Sequence, residues 1–499
     1  MNKLKNVKVN LVVATIMEII TIGFALVVPK LMISHYGPEV HGLMSVITSL
    51  IGYLNLIEAG ISASSVYGLY KPLADDNQTD INAGINAISI FYKRIGIIFS
   101  TLVIVTALLY PLINGNQFQY YFVVILIIVS GISQTIEYLF CSKYKILLQA
   151  DKKLYVLNTI NVVAIIFQGI LRIVMILSNC NIILVQLIPA VVYLLRLFIL
   201  KVYVLDKYKY LNSKMPPNFD VCKSKWNVLI HQITNLIVNN TDGIVLSIFV
   251  NYIAVSIYSI YNMVISNING FLNQVLSNAI TANFGHLLSK QEISECKRIY
   301  ENYEKFYYYV VFLIFGICST VLFPFVKLYV GSVNNIEYAN MILVGLFILN
   351  AILNNIRIPL MTIVNAAGHF KETQIHAIFE AIINLIMSLL LVRKYGIYGV
   401  LIGTTCSYLY RDIMFIIYTN KNILKRSCIY TIRNILIGLA VSIIVLVIGN
   451  FVTLFISTNS WINLFLFGCL VSVLSILLLL LYIMLFEKKI FKMLSTMRR

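Results

Sequence analysis

Charged residues are scarce in this 499-residue sequence: Asp, Glu, Lys and Arg together make up 12% of it, against about 25% in soluble domains. That excludes an ordinary soluble domain. The eight cysteines are scattered from Cys141 to Cys469 with no C-x-x-C, which leaves neither a disulfide framework nor a thiolate metal site. The six histidines form no H-x-x-x-H or H-E-x-x-H pair, so the signature of a metal-dependent catalyst is missing too. Only two tryptophans occur, Trp226 and Trp461. Both stand at the entries of apolar stretches, where the ring anchors a span at the membrane interface.

Apolar residues fill the space left by charge, at 60% of the chain with a mean hydropathy of +0.87. Stretches of about 20 such residues, enough to cross a ~30 Å hydrocarbon core as helix, recur from end to end. The first, Val9–Ser34, is too long for a signal-peptide core, and no A-x-A site follows it. The pattern predicts an all-α polytopic membrane protein with about fourteen transmembrane helices. They fall near 9–34, 42–70, 90–113, 121–142, 154–177, 183–205, 226–250, 253–278, 305–330, 339–364, 374–392, 397–419, 434–457 and 462–485. With the N-terminus inside, 30 of the 38 basic residues lie in or beside cytoplasmic segments, which places both termini in the cytoplasm. The net charge of +18 is therefore topology, and nucleic acid is not an expected partner. Attraction to membrane lipids of the inner leaflet follows from it.

The outer connections are short, and their only acids are Glu39 and Glu337. A polytopic glycosyltransferase or polymerase needs an exposed catalytic surface with paired acids, so no enzymatic activity is expected. Of the inner connections, Asp206–Lys225 is polar and contains Pro216-Pro217, which marks a boundary. The expected division is an N-lobe of helices 1–6 (1–205), a cytoplasmic linker (206–225), a C-lobe of helices 7–12 (226–419), and helices 13–14 with a basic cytoplasmic tail (420–499). Two pseudo-symmetric six-helix lobes are a common transporter plan, with substrate bound between them. The mixed-sign run from Glu292 to Lys305 has helical spacing and reads as a solvated extension of a span.

Function is expected among the polar residues inside spans, because a charge there is costly and usually faces a bundle interior or a water-filled cavity. The acids are Glu18, Glu58, Glu137, Asp242, Glu380 and Asp412, and the cations include Arg172, Arg357 and Arg411. Some neutralise one another on this reading, Glu137 with Arg357 for example, while Arg196 and Arg411 snorkel from helix ends. Asn239 and Asn240, then Asn262, Asn267 and Asn269, make the seventh and eighth spans markedly polar. In the second span, Glu58 precedes Lys71 by 13 residues, about 20 Å of helix. The small residues Ala59–Ser65 then line a cavity wall, and Tyr67, Tyr70 and Lys71 form its rim.

Several short motifs recur in order along the chain: Pro29-Lys30 and Tyr36-Gly37, Gly42-Leu43, Glu58-x-Gly60-Ile61, Leu69-Tyr70-Lys71-Pro72-Leu73, Asn240-Thr241-Asp242, Val255-Ser256-Ile257-Tyr258-Ser259, Ala367-Gly368-His369 and Gly396-Ile397-Tyr398-Gly399. In this order the sequence resembles the bacterial polysaccharide transporter family, the Wzx-type flippases of O-antigen and capsule repeat units, in the superfamily that also holds the multidrug-and-toxin extruders. The resemblance implies a MATE-like, V-shaped transporter with a central cavity, working by alternating access in the bacterial cytoplasmic membrane. Its implied substrate is an undecaprenyl-pyrophosphate-linked oligosaccharide, and its implied pathway partners are glycosyltransferases and a polysaccharide polymerase. Arg172 and Arg357 are then candidates for phosphate, since the guanidinium fork matches its oxygens. The five asparagines are candidates for sugar contacts, with Tyr70 and Lys71 at the rim. Glu18, Glu58 and Asp242 are candidates for carrying a coupling H+ or Na+; no other cofactor is expected. A multidrug/cation antiporter and a lipid II flippase of the same superfamily are the alternative transporter readings.

Overall fold

The computed structural model describes residues 2–58, 61–113, 117–222, 226–276, 278–290, 292–331 and 336–487. Among these residues the chain is helical with no strand, and twelve helices are long and apolar enough to cross a membrane. Two compact units divide it, Met1–Ser256 and Ile257–Arg499.

Unit 1 contains α1 (Asn2–Tyr36), α2 (Pro38–Leu54), α3 (Ile61–Ala74), α4 (Gln78–Ile113), α5 (Tyr120–Ile136), α6 (Ser142–Ala150), α7 (Leu154–Leu177), α8 (Ile182–Lys207) and α9 (Trp226–Phe249). A π turn at Glu137–Cys141 joins α5 to α6, so the expected span at 121–142 continues to Ala150. The Asn181 side chain caps α8 by accepting from the Ile183 amide. α10 (Tyr252–Leu276) straddles the boundary between the units.

The single span expected over 42–70 is broken in two. A 3-10 turn at Asn55–Glu58 ends α2, and the fourteen residues of α3 reach about 21 Å, too short to cross. Two tyrosines hold this turn: Tyr138 donates to Asn55 Oδ1 at 3.1 Å and Tyr92 to Glu58 Oε1 at 2.8 Å. Glu58 therefore closes the span and does not sit mid-helix above Lys71. Ala59 and Gly60, named with it in the cavity wall, lie outside the described residues, as do the basic tail 488–499 and linker residues 223–225.

α4 starts twelve residues earlier than expected, at Gln78, and this extension holds the linker. Asn82 Nδ2 donates to the Tyr210 carbonyl at 3.0 Å, and its Oδ1 accepts from the Asn212 amide at 2.7 Å. Asn86 Nδ2 donates to the carbonyls of Asn212 and Met215. The polar segment expected as a cytoplasmic linker is thus stitched to α4.

Packing inside unit 1 is closest where α2 meets the start of α10. A Cβ on Gly42 would stand 1.9 Å from the Tyr252 carbonyl oxygen, a backbone atom that no side-chain rotation can move aside. We expect Gly42→Ala to destabilise unit 1 by about 1–3 kcal/mol, the usual cost of overpacking. Thermal unfolding in detergent measures it, and an unchanged midpoint would refute the contact.

Unit 2 contains α11 (Asn278–Ser289), α12 (Ile293–Val330), α13 (Met341–Ala367), α14 (Phe370–Tyr395), α15 (Ile397–Tyr418), α16 (Ile429–Val452) and α17 (Trp461–Phe486). α16 and α17 pack on α12 through Leu313, Val445, Val452, Leu464, Phe467 and Val471. The start of α12 is the charged run expected to be solvated. Arg298 and Glu295 do form an exposed i,i+3 pair at 2.5 Å, but Glu304 is 0% exposed. It accepts from Arg426 and Thr431, both at 2.7 Å, and from Asn434 at 3.1 Å, so the run ends in a buried polar knot.

Candidate functional site

A cavity of about 410 Å³ lies within unit 1 between α1, α2, α7 and α8. Apolar Phe24, Val28 and Met44 share its wall with polar His41, Gln168 and Arg172. Arg172 comes five residues before the end of α7, and Gln186 is the fifth residue of α8. Both therefore sit toward the end of the unit that carries the 178–181 connection. There the Tyr36 hydroxyl donates to the Cys180 carbonyl at 2.6 Å and ties the end of α1 to that connection.

Arg172 is the cation of this cavity. Its Nη2 donates to Gln186 Oε1 at 2.7 Å, and Gln186 Nε2 donates onward to Ser130 Oγ at 3.1 Å. The amide is used at both ends and so fixes the guanidinium's direction. Arg172 Nε is inaccessible and makes no hydrogen bond, and among the described residues no acid pairs with Arg172. A positive charge among apolar helices without a counter-charge is costly. The guanidinium offers forked donors, chemistry that suits an anion, and the cavity offers volume beside it. His41 also lines the wall, its Nδ1 2.8 Å from Ser256 Oγ.

The other expected charges behave differently. Arg357 is buried on α13, with Nη1 paired to Glu380 of α14, Nη2 donating to Asn354, and its guanidinium 4.5 Å from the Tyr408 ring centroid. Arg411 Nε lies 3.8 Å from the other oxygen of Glu380. Glu137 pairs with Arg196 at 3.2 Å and with Lys145 at 3.3 Å. The expected Glu137–Arg357 pairing is therefore replaced by two local pairs. Arg196 is buried in its pair and does not snorkel.

Most of the asparagines bond back onto their own helices. Asn239 donates to the Asn235 carbonyl at 2.7 Å, Asn240 to that of Leu236 at 3.2 Å, and Asn267 to that of Met263 at 2.8 Å. Asn269 instead accepts from Asn355 of α13 at 2.6 Å, and Asn262 is half-buried on α10. Glu18 is half-buried on α1, one turn before the first cavity residue, Thr21. Asp242 is buried on α9, beside Thr241, whose hydroxyl bonds that of Tyr53. Tyr70 and Lys71 are exposed on α3, where Tyr67 and Tyr70 form an edge-to-face pair at 6.1 Å.

Sequence reasoning reached Arg172 but missed Gln186, Ser130 and His41. Gln186 interrupts the stretch Ile182-Ile183-Leu184-Val185-Gln186-Leu187-Ile188. A lone amide in a span is a signal of the same kind as a lone charge, only weaker.

No family model matches the sequence, and no curated protein matches it. The fold does match solved transporters. An inward-facing multidrug resistance MATE family transporter of the MOP superfamily aligns at a TM-score of 0.64 and 13% identity, over 81% of this chain and 95% of that one. Lipid II flippase MurJ in an inward closed conformation aligns at 0.66 and 13%, over 93% and 97%. The eukaryotic MATE transporter AtDTX14 aligns at 0.57 and 14%, over 87% and 99%. This chain thus has a MATE-like transporter fold and is a multi-pass membrane protein, and these neighbours are transporters and flippases, not enzymes.

Proposed function

We propose that the protein is a flippase that moves an undecaprenyl-pyrophosphate-linked oligosaccharide across the bacterial cytoplasmic membrane by alternating access. The observation that carries this reading is Arg172, a cation facing a cavity in unit 1 with no acidic partner among the described residues. A pyrophosphate is an anion that a guanidinium binds through paired donors, and the amides and hydroxyls nearby suit sugar hydroxyls. A cationic drug would meet like charge at the same place, which argues against a multidrug/cation antiporter. The MATE-like fold supports transport in general, and the likeness to a lipid II flippase supports a lipid-linked cargo. On this reading both termini are cytoplasmic and an H+ or Na+ gradient supplies the energy, with Glu18, Glu58 and Asp242 as carriers. Glycosyltransferases and a polymerase act before and after it.

The test is reconstitution in vesicles with a fluorescent undecaprenyl-pyrophosphate oligosaccharide, lipid II and a cationic dye as parallel cargoes. We expect the oligosaccharide lipid to become accessible on the opposite leaflet, dependent on an ion gradient. Movement of lipid II alone, or of the dye alone, would replace this reading with one of its alternatives.

A further inference from the structure

At the end of unit 1 away from the cavity, three neighbouring helices each carry a lysine. Lys93 of α4 and Lys201 of α8 are exposed, and Lys143 of α6 is half-buried. Both outer lysines lie within electrostatic reach of Lys143, and α6 packs against both α4 and α8. Among the described residues none of the three forms an ion pair. The nearby Glu137 is occupied by Lys145 and Arg196, and Lys143 Nζ stands 5.0 Å from the Tyr144 ring centroid.

Depth along the helices gives this cluster its meaning. Counted from the helix ends on the cavity side, Ile113, Tyr120 and Ile182, the lysines come after 20, 23 and 19 residues, which is about 29–35 Å of helix. All three thus reach the level where a ~30 Å hydrocarbon core gives way to headgroups. One turn toward the core, each is accompanied by an exposed apolar side chain: Ile97 below Lys93, Phe140 below Lys143 and Phe198 below Lys201. Positive charge at headgroup depth above an apolar, lipid-facing surface matches one kind of ligand, an amphiphile with a phosphate at its polar end.

We propose that Lys93, Lys143 and Lys201 form a binding site for the phosphate of a membrane lipid, on the helix surface and distinct from the Arg172 cavity. Scattered basic residues at a membrane face attract anionic lipid in proportion to charge and bind none in place. Three ammonium groups on neighbouring helices, none in an ion pair among the described residues, instead bridge the oxygens of one headgroup. The lipid is either a bulk anionic phospholipid or a polyprenyl diphosphate. Only the second would tie the site to the proposed cargo, and the site stands if that cargo is wrong.

The experiment is native mass spectrometry of the full-length protein in detergent with phosphatidylglycerol, undecaprenyl diphosphate and phosphatidylcholine added in turn. We expect retention of one or both phosphate-charged lipids over phosphatidylcholine. Retention of both identifies a general phospholipid site, and retention of the diphosphate alone identifies a cargo site. The double variant Lys93→Gln/Lys201→Gln alters two exposed side chains, so folding should be preserved, and it should weaken retention about tenfold or more. A matched variant, Lys209→Gln/Lys214→Gln, removes the same charge from exposed linker positions and should have little effect. Equal retention of phosphatidylcholine, an unchanged Lys93/Lys201 variant, or equal loss in the two variants would overturn the site.

Discussion

Replacing Glu304 by alanine is expected to destabilise unit 2 by about 3–5 kcal/mol, the cost of removing one partner from a buried ion pair. For a unit of this size that corresponds to a midpoint lowered by about 6–20 °C. The loss falls mostly on Arg426, whose side chain is 1% exposed. Burial opposes its charge, and Glu304, with Tyr300 and Glu301, outweighs that effect, so its pKa lies above the ordinary arginine value. Without Glu304 the guanidinium keeps its proton and has only Glu301, at 3.7 Å, as an acidic neighbour. The Thr431 and Asn434 side chains of α16 lose their acceptor as well, so the seam between α12 and α16 loosens. Glu304→Gln retains part of the hydrogen bonding and should fall between. In a double-mutant cycle with Arg426→Ala, the combined loss should be smaller than the sum, because the second removal takes away the stranded charge. The fluorescence of Trp461 follows unfolding, since its ring packs 5.8 Å from Phe325 of α12. A loss below about 1 kcal/mol would mean that the pair is hydrated like a surface bridge.

The spans were legible because crossing a hydrocarbon core demands uninterrupted apolar length, which a sequence displays directly. Arg172 was legible for the converse reason, as one cation inside Ile170–Leu177, an otherwise apolar stretch of about two turns. The break at Asn55–Glu58 was not. It depends on tyrosines from α4 and from the α5–α6 turn, and nothing within 42–70 announces a stop. Charge pairing was equally hidden. Glu137 finds Arg196 across 59 positions and Glu304 finds Arg426 across 122, choices made by helix packing and not by spacing. The asparagine stripes show the limit of counting polar residues. An asparagine in a helix can satisfy its amide on the carbonyl four residues back, as Asn239, Asn240 and Asn267 do.

Arg172→Ala is expected to reduce transport of an anionic lipid-linked cargo by about 10–100-fold, equivalent to losing a charge-assisted hydrogen bond worth about 1.5–3 kcal/mol. Its effect on stability should have the opposite sign or be absent. Arg172 contributes one hydrogen bond, to Gln186, and carries a charge that no acid offsets among the described residues. Removing it relieves an uncompensated cation, and the unfolding midpoint should stay level or rise. A residue kept for function at a cost in stability behaves this way. Arg357 supplies the contrast: its charge is paired with Glu380, so Arg357→Ala leaves that buried carboxylate to the longer Arg411 contact at 3.8 Å and should lower the midpoint whatever it does to transport. Arg172→Lys retains the charge and loses the fork, so its transport should fall between alanine and wild type, as for a planar, two-oxygen ligand. Transport rates in vesicles, normalised to folded protein, together with the midpoints of the three variants, test the assignment. Full transport by Arg172→Ala would reduce the arginine to a wall residue. A midpoint that fell as far as that of Arg357→Ala would make its role structural.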